Sequence, residues 1–314
     1  MNTCTKAKYK FKLSKTLGLA VMATVLSLTS LQAAFAAAVR PGLFGANTVP
    51  RNDDSFTSLV DLGFTANFFG LEFNQTYVNN NGNITFDQAL GTYTPFDLTS
   101  TGRQIIAPFF ADVDTRNSAS NRVTYGTGIV DGFNAFGVNY IDVGYFPSAA
   151  DRLNSFQMVL IDRSDTGAGN FDIEFNYDQI QWETGGASGG TGGLGGSSAR
   201  VGFSNGTGNP GSFFELPGSA INGAFLDGGP NALIADRLNS DVDGRYIFTA
   251  REGEIIVDVP PPVDPPIDPP VDPPVDSPTS VPEPTTILGL LAFGAFGATS
   301  ALKRKQQYKA AAKA

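Results

Sequence analysis

Through the middle of the chain, apolar and polar residues alternate in short bursts, not in helical turns. The clearest burst is 171–182, where Phe171, Ile173, Phe175 and Tyr177 fall on one side and Asp172, Glu174, Asn176 and Asp178 on the other. That is the period of two imposed by a β-strand, and it predicts one buried and one solvated face. Further runs rich in β-branched and aromatic residues lie at 75–78, 84–86, 122–125, 135–145, 156–161, 201–203 and 246–250, separated by Asn, Gly, Asp and Ser. Turn residues at such intervals, with no long stretch of helical period, predict an all-β fold, an antiparallel β-sandwich over residues 37–258. A region of about 220 residues is long enough to enclose a sizeable core.

The two ends follow other rules. Lys6, Lys8, Lys10, Lys12 and Lys15 precede an apolar run at 17–31 and the small-residue site Ala34-Phe35-Ala36, which reads as an N-terminal signal peptide over 1–36 with the mature chain starting near Ala37. Residues 285–302 are eighteen uncharged, mostly apolar positions followed by Lys303, Arg304 and Lys305. They predict a C-terminal transmembrane helix with a cytoplasmic basic stop. Between the domain and this segment, Pro-Pro-apolar-Asp occurs four times within 261–276. Residues 259–280 therefore read as a Pro-rich polyproline linker. At about 3.1 Å per residue, 259–284 would reach on the order of 70–80 Å.

Composition removes much chemistry. With no His there is no imidazole base and no His-ligated zinc, and Cys4, the lone cysteine, leaves with the signal peptide. The formal charge of −9 hides a division. Five cations sit at each end, while the middle sets eleven Arg against all thirty acids, a balance of −19. Such a segment excludes nucleic acid as a partner. Twenty-five Phe make ring burial the source of cohesion in place of disulfides.

Several ordered motifs then carry a resemblance. They are TYVNNNGNITF (76–86), IIAPFFADVDTR (105–116), AFGVNYIDVGYF (135–146), NSFQMVLIDR (154–163), FDIEFNYDQIQWETG (171–185), ARVGFSNG (199–206), FFELPGS (213–219) and GRYIF (244–248). Together they resemble the NIDO domain of nidogen-type extracellular proteins over 54–251. Asn139-Tyr140 departs from a Trp-rich strand usual in that family, and 185–198, with eight Gly in its first twelve residues, reads as an unpacked insertion. At the C-terminus, Pro282-Glu283-Pro284, one apolar helix and a basic cluster resemble the PEP-CTERM sorting signal of bacterial exosortase substrates, over 281–314.

These resemblances imply an exported, non-enzymatic adhesion or extracellular-matrix protein of the cell-matrix adhesion type, processed by an exosortase at its C-terminus. It would pass through an inner-membrane intermediate, held by a transient anchor, to the cell envelope, surface or matrix. Its partners would be matrix, polysaccharide or a cell-surface component. The alternative is a secreted carbohydrate-binding or glycan-processing envelope protein.

The candidate sites are few. Asp112 and Asp114, two apart with Arg116 next, fit an ion-pair and turn network, a calcium site completed by backbone carbonyls, or catalytic carboxylates; only two carboxylate ligands are evident, and calcium takes six to eight oxygens. Asp241-Val242-Asp243-Gly244 opens like a calcium loop, but Arg245 stands where a ligand belongs. Asp172 and Glu174 invite comparison with a glycosidase pair, although a solvated strand face explains them as well. Trp182 is the candidate for ligand contact. No cofactor other than calcium is implied.

Overall fold

The computed structural model describes residues 37–257. Antiparallel strands dominate, in two sheets. The first runs in the order β1 (Asn47–Thr48), β6 (Thr124–Val130), β7 (Phe133–Tyr145), β8 (Ala149–Asp162), β9 (Phe171–Gln179), β12 (Arg245–Arg251) and β13 (Glu254–Ile256). The second runs β11 (Phe213–Glu215), β10 (Arg200–Asn205), β5 (Gln104–Phe110), β4 (Asn83–Thr85), β3 (Leu71–Asn79) and β2 (Val60–Phe68). The runs read from the pattern lie on or overlap strands; β2 was not among them.

Aromatic side chains join the sheets. Phe109 on β5 meets Phe156 on β8 with ring centroids 5.3 Å apart, and Phe203 on β10 meets Phe248 on β12 edge-on at 5.2 Å. Each fully buried ring contributes up to about 3 kcal/mol. Two tyrosines add polar pins, because a buried hydroxyl needs a partner. Tyr177 donates to the Pro108 carbonyl at 2.5 Å and Tyr140 to the Asn79 carbonyl at 2.8 Å, each reaching from the first sheet to the second. Pro108 has no N–H to give the ladder, and the β5–β10 register shifts opposite it.

Both sheets are also covered on their outer faces. Residues 86–103 lie over the second sheet, where Leu90, Leu98 and Phe96 pack on Ile105, Ala107 and Phe110. The segment 37–44 crosses the first sheet. Ala38 N–H donates to Asp178 at 2.7 Å, Arg40 grips Glu174, and Phe44 packs with Val130, Ala135, Val159 and Ile161. Phe44 fits because Gly137 carries no side chain: a Cβ there would stand 2.3 Å from the ring.

This strap corrects the reading of β9. Asp172, Glu174 and Asn176 are not solvated but buried, Glu174 completely. Alternation reports the chemistry of the two faces; it does not report that a segment from more than 130 residues earlier covers the polar one.

The Gly-rich stretch 185–198 is likewise packed, not loose. Gly186–Ser188 form one 3-10 turn, and the Gly193 carbonyl accepts from Glu183 and Thr184 N–H at 2.8 and 3.1 Å. A Cβ on Gly193 would lie 2.7 Å from Trp182 Cβ, so the missing side chains are what let this backbone approach the core. Among the described residues no helix is long and apolar enough to cross a membrane. The signal peptide 1–36, the linker 259–280 and the segment 281–314 with its expected helix at 285–302 lie outside the described residues.

Candidate functional site

After β5 the chain turns inward, and Val113 makes a single antiparallel bridge to Tyr145. Asp112 and Asp114 are both buried, but they do different work. Asp114 accepts from Arg116 backbone N–H at 2.9 Å, Arg116 Nη2 at 2.5 Å and Ser148 N–H at 2.7 Å. Burial pushes its pKa up, yet these donors outweigh burial and hold the carboxyl below its ordinary value. Arg116 also reaches Asp53 Oδ2 at 2.9 Å and lies over the Phe146 ring at 5.6 Å. Asp114 is thus the acid of an ion-pair network, one of the three arrangements that the sequence left open.

Asp112 has different neighbours. One carboxylate oxygen from each of Asp53, Asp54 and Asp112 lies within 4.8 Å of the other two. Asp112 is 1% exposed and its Oδ2 has no hydrogen-bond partner. Burial, followed by the charges of Asp53, Asp54 and Asp114, pushes its pKa up to about 7. Asp53 rises to about 6, from burial first and then from Asp114 and Asp54.

The floor of this cluster is the turn between β3 and β4. Asn80 Nδ2 donates to the Asp53 and Val113 carbonyls, both at 2.6 Å, while its Oδ1 is buried without a partner. Asn81 donates to Asp54 Oδ1 at 2.9 Å and accepts from Val113 N–H at 3.0 Å. Gly82 lets the turn press on β5, since a Cβ there would meet the Phe109 carbonyl at 1.7 Å. Sequence reasoning missed Asp53, Asp54, Asn80 and Asn81. Their signal was a paired acid and a run of Asn around Gly82, in segments too far apart to be joined by spacing.

The other candidates resolve differently. Trp182 is fully buried, packed between Phe109 and Tyr145 at 5.8 and 5.4 Å, and its indole N–H donates to the Val143 carbonyl at 3.0 Å. The expectation that it sits where a ligand could touch it is therefore corrected, because the ring is fully enclosed and its one donor is already used. Glu174 is held by Arg40 at 2.7 and 2.9 Å. Asp172 bonds Arg163 at 3.0 Å, with Arg251 Nη2 2.8 Å from its Oδ1 as a charge contact without hydrogen-bond alignment. A glycosidase acid must carry a proton beside an open cleft, and these carboxylates face guanidinium groups instead, Glu174 that of Arg40 in the strap and Asp172 those of Arg163 and Arg251. Asp243 pairs with Arg237. Pro282, Glu283, Pro284, Lys303, Arg304 and Lys305 lie outside the described residues.

Beyond its own geometry, the chain can be compared with known proteins. The family model for the nidogen-like domain, NIDO, matches residues 74–252. This chain belongs to the nidogen-like domain family. A second model, the PEP-CTERM protein-sorting motif, matches residues 280–305. Alpha-tectorin of Mus musculus is 36% identical over 231 residues, 66% of this chain and 10% of its own length. Alpha-tectorin of Homo sapiens is 34% identical over 236 residues, again 66% of this chain and 10% of its own. Nidogen of Drosophila melanogaster is 30% identical over 249 residues, 70% of this chain and 17% of its own. The chain thus spans about a tenth of the tectorin relatives' length. No solved structure matches it significantly. The two strands that pin the core tyrosines, β7 and β9, both fall within the NIDO match, whereas Asp53 and Asp54 precede it.

Proposed function

We propose that this chain is a non-enzymatic adhesion module of the cell envelope or extracellular matrix, presented on a polyproline stalk over 259–280 and trimmed by an exosortase near Pro282-Glu283-Pro284. The observation that carries this reading is the pairing, in one chain, of a nidogen-like domain at 74–252 with a protein-sorting motif at 280–305. The sorting motif implies export, and the domain is homologous to parts of proteins of animal extracellular matrices. A domain alone does not fix a function. The chemistry of the described residues supports binding over turnover: no His exists, and the paired acids of β9 are tied to Arg.

Two measurements test this. Mass spectrometry of the native envelope fraction is expected to find a C-terminus at or close to Pro282–Pro284 with 285–314 removed; an intact C-terminus in the mature protein refutes the exosortase step. Residues 37–258 are expected to bind matrix, polysaccharide or whole cells saturably and without turnover. Glycan turnover that disappears on Asp172→Asn or Glu174→Gln would instead establish the glycan-processing alternative.

A further inference from the structure

We propose that Asp53, Asp54 and Asp112 form a binding site for one divalent cation of the calcium class, which ties the segment ahead of β2 to the end of β5. Four carboxylates (Asp53, Asp54, Asp112 and Asp114) gather here against a single guanidinium, that of Arg116. Arg51 relieves none of them, because its Nη1 is spent on the carbonyls of Thr115, Asn117 and Ser120. Arg116 takes Asp114 and one oxygen of Asp53, which leaves the far side of Asp53, together with Asp54 and Asp112, without a cation.

The second observation is independent of the charge. Six buried side-chain polar atoms among the described residues lack a hydrogen-bond partner, and three of them are here: Asp53 Oδ1, Asp112 Oδ2 and Asn80 Oδ1. Native proteins rarely leave such groups orphaned, and a buried oxygen of this kind that faces no donor calls for a metal, a proton or a water. All three are acceptor oxygens, two of carboxylates and one of an amide. Asn80 is fully buried and its amide nitrogen is already fixed on the Asp53 and Val113 carbonyls, so its oxygen is held beside the same two segments. Gly185 packs directly on the Asp112 carboxyl, since a Cβ there would stand 2.2 Å from Oδ2, and so helps to fix that side chain in place.

The geometry suits a large hard ion. Calcium binds oxygens at about 2.3–2.6 Å, so oxygens on opposite sides of it stand about 4.6–5.2 Å apart. The three carboxylate oxygens lie within 4.8 Å of one another, a separation in the range of ligands around one such ion. Asn80 Oδ1, backbone carbonyls and water would complete the shell. This differs from a pair made by Asp112 and Asp114, because Asp114 is engaged by Arg116. The site does not depend on the adhesion reading.

The test is thermal unfolding of the purified full-length chain, treated with chelator, dialysed at pH 7.5 and followed by Trp182 fluorescence. Calcium chloride at a hundredfold above its dissociation constant is expected to raise Tm by about 5–10 °C for a domain of this size, with one equivalent bound per chain by titration calorimetry. Asp112→Asn and, separately, the more exposed Asp54→Asn should fold and lose at least three quarters of that shift. Both retain every Asp of the linker, so nonspecific binding there would survive in them. A wild-type Tm unmoved by millimolar calcium overturns the site, as does an equal shift in wild type and in Asp54→Asn. An equal response to magnesium chloride overturns the assignment to the calcium class.

Discussion

Removing Arg40 is the most informative perturbation, because it asks whether the strap is part of the fold or merely lies on it. Glu174 sits in the middle of β9 with 1% of its side chain exposed, and Arg40 meets it with both Nε and Nη2, at 2.7 and 2.9 Å. In Arg40→Ala the carboxylate keeps only Asn176 Nδ2 at 2.6 Å and Arg245 Nε at 3.5 Å. Stranding one partner of a buried ion pair costs about 3–5 kcal/mol. Since the Arg40 side chain is 20% exposed and water can enter in its place, the low end applies, about 3 kcal/mol. For a domain of this size that is a fall in Tm of about 6–12 °C. The assay is urea unfolding of residues 37–258, which contain all the core clusters, read by the fluorescence of Trp182, the one tryptophan. Glu174→Gln and the double variant complete a cycle, and the coupling between the two sites should reach about 2 kcal/mol. A loss below about 1 kcal/mol for Arg40→Ala, the value of an exposed pair, would refute the reasoning and show that solvent reaches Glu174 beneath the strap.

Other consequences follow from the same contacts. Phe44→Ala should empty the pocket over Gly137 and cost about 3–5 kcal/mol, measurable by the same urea curves, with amide exchange rising first in β6 and β7. Gly82→Ala places a methyl 1.7 Å from the Phe109 carbonyl in a residue with φ of 72°, and should abolish secreted folded protein, as measured by yield and near-ultraviolet circular dichroism. In calcium-free buffer the raised pKa values of Asp112 and Asp53, about 7 and about 6, favour the folded state when these groups are protonated. That contribution is complete below the unfolded carboxyl value near pH 4 and is lost as pH climbs through 6 and 7, so Tm should fall over that window and Asp112→Asn should flatten the fall. Trp182→Phe should lose the indole bond to Val143 and part of the packing on Tyr145, costing about 1–3 kcal/mol in the urea assay.

Much of the strand content was legible in the sequence because a strand writes itself locally. Residues 171–179 alternate in chemistry, and β7, β8, β10 and β12 show the same aromatic and β-branched bias between turn residues. The NIDO motifs could be read for a similar reason, since each is a contiguous strand or turn. The acid cluster was only half legible. Asp112 stood in a conspicuous motif, but its partners lie at 53 and 54, and the Asn run at 79–83 looked like an ordinary turn, although four of its side chains are buried and hydrogen-bonded.

By itself the sequence determined the all-β class, the absence of imidazole and disulfide chemistry, the acidic character of the middle of the chain and the sorting motif at its end. These depend on which residues are present and on their near neighbours. The tertiary structure alone decided that Glu174 faces Arg40 instead of water, that Trp182 is enclosed, that a Gly-rich stretch can pack, and that Asp112 looks toward Asp53 and Asp54. Each of these is a contact between segments tens of residues apart, and burial at such a place is set by what folds back over it, which no local pattern records.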